Sequence, residues 1–254
     1  MHPYIGITDF ANFEQVQEML QVFNFHLPKG SLRKLHVGVM MSYKTFYGIP
    51  SKWLNVFVPK EAISGIFNSD QTYNCLHYAD YDDKTDFRVL SQAIFYSNGH
   101  INALQLDMVW PDPGMIASGV HTSRRHIEVI LQIGKNAIEQ AGNDPKVLVE
   151  KLSDYEDVIH RVLLDKSMGK GLGMDALGLL PFARAIRERF PKLGIGAAGG
   201  LGPKTTHLVE PLVKEFPDLS IDAQGQLRPS ASALDPIDWE MTGEYLARAL
   251  ELFA

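Results

Sequence analysis

Asp165 opens the run Asp165-Lys166-Ser-Met-Gly169-Lys170-Gly171-Leu-Gly173-Met-Asp175. A carboxylate there can hold or give a proton, and alternating glycines with lysines make a cation-bearing loop able to close over a substrate. Lys166, Gly171 and Gly173 are therefore the candidate substrate loop. Asp107 stands in Leu104-Gln105-Leu106-Asp107. In an extended chain Gln105 and Asp107 share one face. An inward carboxylate is costly unless it has a task or a partner. Two carboxylates in one mouth can be driven to different pKa values and so divide acid and base roles, which makes Asp165 and Asp107 the candidate catalytic pair. A second signal is glycine. Gly199-Gly200-Leu-Gly202-Pro203 and Gly225 lie where backbone N–H groups could approach a ligand closely. Gly199, Gly200 and Gly225 are the candidate phosphate-binding residues, with a helix start behind the first group to favour an anion.

Other residues offer alternatives. Lys135, or Lys166, could act as a Schiff-base nucleophile if its pKa were lowered. Nine histidines show no His-x-x-x-His spacing, and of them only His77 is expected to reach the site. The one cysteine, Cys75, excludes a Cys-cluster metal site and an internal disulfide. No metal and no cofactor are expected from spacing, although Asp107 with Asp165 could hold Mg²⁺ together with a substrate phosphate.

These residues need a frame, and the apolar pattern supplies one. Short runs at Tyr4–Thr8, Lys34–Met41, Tyr73–Ala79, Ile101–Trp110, Ile127–Gly134, Val158–Asp165, Gly194–Gly200 and Leu219–Ala223 read as strands. Between them fall helical patterns. These cover Asn12–Phe23, Pro59–Phe67, Asp86–Tyr96, the stretch up to Arg125, a segment opened by Asp144-Pro145, Leu177–Phe190, Thr205–Phe216 and Thr242–Phe253. Eight strands alternating with helices predict an α/β fold, a single (β/α)8 barrel over residues 1–254; an open doubly wound sheet is the competing arrangement. In such a barrel the site lies at the C-terminal strand ends. That places Thr8, Asp9, Ser42, Lys44, His77, Asp107, Gln132, Lys135, Asp165, Gly199, Gly200, Asp222, Gln224 and Gly225 around one mouth.

Composition narrows the function classes. The chain has 24 basic and 30 acidic residues, a net charge of −6, which argues against a general nucleic-acid binder. No apolar run approaches the roughly 18 residues of a membrane span. The first residues, Met1-His-Pro-Tyr-Ile-Gly, lack a basic leader pattern and already read as a strand. With a single cysteine, a reducing, cytoplasmic setting is expected. The expected partner is a small phosphorylated molecule, with no nucleic acid and no membrane.

From the sixth strand to the eighth the chain resembles phosphoribosylanthranilate isomerase, a ribulose-phosphate-binding barrel. The resemblance rests on Leu163-Leu164-Asp165 before the Gly169–Gly173 loop and Asp175, on Ala198-Gly199-Gly200-Leu201-Gly202-Pro203, and loosely on Ile221-Asp222 with Gly225. Gly6-Ile7-Thr8 and Leu104-Gln105-Leu106 also match. The resemblance implies phosphate binding at the glycines and a general acid at Asp165. It breaks where the family has a general-base cysteine, because this chain has Ile5. The family's arginine after strand two is absent from Ser42-Tyr43-Lys44, and its histidine in strand four is replaced by Asp107. The expectation is an isomerase-like enzyme that moves protons on a phosphorylated sugar-like substrate, with Asp165 as acid and Asp107 as base, and not the standard anthranilate reaction. A phosphate-binding barrel without catalysis, and a Schiff-base aldolase or lyase, are the alternatives.

Overall fold

A computed structural model describes residues 1–97, 100–124, 126–165 and 173–254. Eight parallel strands close on themselves in chain order: β1 Tyr4–Thr8, β2 Lys34–Ser42, β3 Tyr73–Ala79, β4 Ala103–Asp107, β5 Glu128–Gly134, β6 Arg161–Asp165, β7 Gly194–Ala198 and β8 Ser220–Ala223. Ile5 pairs with Leu35 on one side and Ile221 on the other, so β1 joins β8 and the sheet has no edge. Closure excludes the open sheet.

Alternation along each strand sorts side chains into two cores. In β1, Ile5 and Ile7 pack outward in the large apolar layer with Val16, Met19 and Phe23 of the helix Phe13–His26. Tyr4 instead joins Cys75, Ala103, Ile130, Leu163 and Ala198, one residue from each of six strands, in a small cluster inside the barrel. The closing helix Trp239–Leu252 covers the seam through Tyr245, Leu246, Ala249 and Leu250. Helix starts follow local chemistry. Asn12 and Gln15 form a reciprocal cap, Asp86 accepts from the Arg88 and Val89 amides, and Asp112-Pro113 and Asp144-Pro145 pair a capping carboxylate with a first-turn proline.

The strand reading needs corrections at its ends. β4 stops at Asp107 instead of Trp110, because Trp110 takes a left-handed backbone (φ +50°) just before Pro111. β6 begins at Arg161 instead of Val158. β7 ends at Ala198, since Gly199 and Gly200 turn to φ +98° and +74°. A short helix, Lys135–Gln140, follows β5 directly where none is expected from the pattern.

At the N-terminal end of the barrel, Arg161 acts as a plug. It donates to Glu128 at 2.9 Å and to the His2 carbonyl at 2.7 Å, and lies over the rings of Tyr4 and Tyr73. Burial raises the Glu128 carboxyl, but Arg161 and Tyr73 outweigh it and hold the group below its usual value.

Candidate active site

Six strands contribute polar side chains to one belt inside the C-terminal end of the barrel. Asp222 of β8 accepts from the Thr8 hydroxyl of β1 at 3.0 and 3.2 Å. That hydroxyl lies 3.4 Å from His77 Nδ1 of β3. Gln105 Nε2 of β4 is 3.2 Å from the same nitrogen and donates to Gln132 Oε1 of β5 at 2.9 Å. Gln132 Nε2 then reaches Asp165 Oδ2 of β6 at 3.4 Å. The belt passes β2 at Gly38, where a Cβ would sit 2.6 Å from the Thr8 hydroxyl and 3.0 Å from His77 Nε2. Only a residue without a side chain fits there.

Above the belt is a cleft of about 90 Å³ bordered by His77, Gln105, Asp107, Gln132, Asp165, Gly199, Gly200, Asp222, Gln224 and Gly225. The two carboxylates expected to act together, Asp107 and Asp165, thus face the same space as the three expected glycines. The loop after β7 and the turn after β8 meet closely, since a Cβ on Gly202 would lie 2.6 Å from the Gln226 carbonyl. Gly225 differs from its companions. Its Cβ position is 3.4 Å from the Ala231 carbonyl, an ordinary contact, and its φ is not positive. It lines the cleft without being required by backbone strain. Of the substrate loop, Gly173 lies in a neighbouring cleft with Lys135 and Asp175, while Lys166 and Gly171 fall outside the described residues.

Burial sets the electrostatics. It pushes the Asp107 carboxyl up to about 6; the Tyr81 hydroxyl, which donates to Asp107 Oδ2, opposes this and the nearby Asp165 charge adds to it. Asp222 is raised to about 7 by burial, partly offset by the Thr8 hydrogen bond and reinforced by Asp165 and Asp9. His77 is held neutral, its pKa lowered to about 3 by burial. Asp9, with φ +93°, is half-buried under the turn after β8, where Arg228 and Gln224 donate to its Oδ2 at 2.5 and 3.0 Å. Arg228 also donates to the Gln224 and Asp235 carbonyls, so one buried guanidinium ties β1 to the loop that carries Gly225.

Several placements differ from the sequence reading. Lys135 sits at the start of its helix, about half exposed, in an ion pair with Glu139 at 3.5 Å, and borders the neighbouring cleft. It does not border the cleft that Asp107 and Asp165 share. Lys44 is likewise drawn to Asp82, at 2.6 Å. Ile5 points into the helix layer, so no side chain at that position could reach the cleft. Tyr81 was not legible in the sequence. It follows β3 by two residues, in a loop with no periodic signal, and only the structure brings its hydroxyl to Asp107.

Together the closed sheet and its one-ended polar cleft define a (β/α)8 barrel of the kind many enzymes use. No protein-family profile matches the chain, and no curated protein matches it by sequence. Solved structures do. A phosphonopyruvate hydrolase superposes with a TM-score of 0.55 at 13% identity, covering 87% of this chain and 75% of that one. Active domain 2 of a thermostable chitinase from Pyrococcus furiosus superposes with a TM-score of 0.58 at 10% identity, covering 99% of this chain and 94% of that one. At such identities the likeness shows the barrel fold alone. Among the described residues, no helix is long and apolar enough to cross a membrane.

Proposed function

We propose that the chain is an isomerase-class enzyme that shuttles protons on a small phosphorylated, sugar-like substrate. The observation that carries this reading is the shared cleft, with Asp107 and Asp165 on the β4–β6 side and Gly199, Gly200 and Gly225 on the β7–β8 side. A phosphate held by backbone N–H groups at the glycines would extend the rest of the molecule toward the two carboxylates. Asp107, with a pKa raised to about 6, is mostly ionised at neutral pH yet basic enough to take a proton, as a general base should be. Asp165, placed by Gln132, serves as the acid. Gln105 and Gln132 fix the belt between His77 and Asp165. The resemblance to phosphoribosylanthranilate isomerase over β6 to β8 supports the same substrate class. The missing base at Ile5 separates this chain from that family's own reaction.

A thermal-shift screen with inorganic phosphate and a panel of sugar phosphates tests the substrate class. A ligand at 100 times its dissociation constant stabilises by about 2.7 kcal/mol. Stabilisation by sugar phosphates that is lost in Gly200→Val supports the reading. Equal response of the variant, or no response to any phosphorylated compound, counts against it.

A further inference from the structure

We propose that His36, Cys75 and His77 form a metal site inside the barrel, directly beneath the Asp107–Asp165 cleft, that takes a thiophilic divalent ion such as Zn²⁺. One ligand atom from each of these three buried side chains lies within 4.8 Å of the other two. His36 Nε2 and His77 Nε2 are 3.2 Å apart. Two Zn–N bonds of about 2.0–2.1 Å at a tetrahedral angle would hold their nitrogens about 3.3–3.4 Å apart, so the rings already stand close to a coordinating separation. Cys75 comes from the same strand as His77, two residues earlier, and therefore from the same inward face.

The surroundings support the same reading. As a metal-free pair, the two imidazoles share one Nε2–H hydrogen bond, and His36 Nδ1 is left buried with no hydrogen-bond partner, 3.9 Å from Asp222 Oδ1. Coordination through Nε2 fixes the proton on Nδ1 of both rings. His36 Nδ1–H then faces the Asp222 carboxylate, and His77 Nδ1–H faces the Thr8 hydroxyl that donates to Asp222 and the Gln105 amide, which must turn its unpartnered Oε1 toward the ring in place of Nε2. Metal-bound histidines are typically oriented by a carboxylate on the other nitrogen. Gly6 keeps this gap open, since a Cβ there would lie 2.4 Å from Asp222 Oδ1 and 2.9 Å from His36 Nδ1. Binding breaks the Cys75 S–H bond, forms a sulfur–metal bond and releases the proton to solvent through the cleft that His77 borders. A donor set of two imidazoles and one thiolate suits Zn²⁺ and excludes the hard ions Mg²⁺ and Ca²⁺. Sequence spacing could not show it, because His36 lies on β2 and the other two ligands on β3.

The test uses the full chain, freed of metal with a chelator and refolded with Co²⁺ as the probe. The expected result is one equivalent bound, with cobalt–thiolate charge-transfer absorption that Zn²⁺ displaces. Cys75→Ser removes the charge-transfer band, and His36→Gln and His77→Gln each weaken Co²⁺ binding by roughly tenfold or more. No band in the unsubstituted protein, a band that survives Cys75→Ser, or unchanged affinity in both histidine variants overturns the proposal. Should a variant fail to fold, elemental analysis of the unsubstituted protein grown with zinc decides: about one zinc retained per chain supports the site, and none overturns it. The outcome is independent of whether the cleft above accepts a sugar phosphate.

Discussion

Asp107 is placed where its charge state matters twice. Its pKa is raised, so the folded chain binds the carboxyl proton more tightly than the unfolded chain does. The associated stability is fully present below about pH 4 and is lost as pH rises through about 6. Asp107→Asn should therefore stabilise the protein at pH 8 by up to about 2–3 kcal/mol and leave it unchanged near pH 3. Urea midpoints at the two pH values check this; equal effects at both would mean the carboxyl is not held up by burial. The same substitution should lower turnover by about 10²–10⁴. If Asp107 is the base, the rate rises with pH through about 6. Tyr81→Phe removes a hydrogen bond that favours the ionised form and moves that limb upward. A pH–rate profile unchanged in Tyr81→Phe would separate Asp107 from the proton transfer.

At the scale of elements, β1 shows how far the resemblance carries. Gly6-Ile7-Thr8 matches the family in letters, yet the inward side chain nearest the cleft is Thr8, and position five packs against helices. Ile5→Cys should accordingly fail to raise turnover of phosphoribosylanthranilate, which the unsubstituted chain should also handle poorly. Appreciable turnover in either would contradict this placement. The strands themselves were legible because apolar runs bounded by Gly, Pro and Asp recur at regular spacing; β1 and β3 have the bounds read from the sequence. Trp110 and Arg161 mark where legibility failed. A left-handed turn at Trp110 ends β4 inside an apolar run, and a charged residue starts β6 because it has Glu128 to pair with. The candidate carboxylates and glycines are read from strand ends. Asp222's approach to His36 beside Gly6, and Tyr81's hydrogen bond to Asp107, depend on contacts between strands or loops that no local spacing encodes.

The whole molecule depends on closing the barrel around a polar interior. At its lower end that interior is held by Arg161 and Glu128, a pair almost withdrawn from water. Removing one partner of a buried pair leaves the other uncompensated and costs about 3–5 kcal/mol. Arg161→Met should cost that much in urea unfolding; a loss below about 1 kcal/mol would show that the plug does not hold the strands together. At the upper end the same closure brings carboxylates from β4 and β6 to face glycines from β7 and β8, and the functional proposal stands on that meeting. The direct measurement is proton exchange in D₂O, followed by NMR on a panel of aldose and ketose phosphates. Protein-dependent incorporation of deuterium is expected at the carbon beside the carbonyl of at least one of them, abolished in Asp107→Asn and strongly reduced in Asp165→Asn. Absence of exchange across the panel, or exchange that persists in both variants, would contradict the functional proposal.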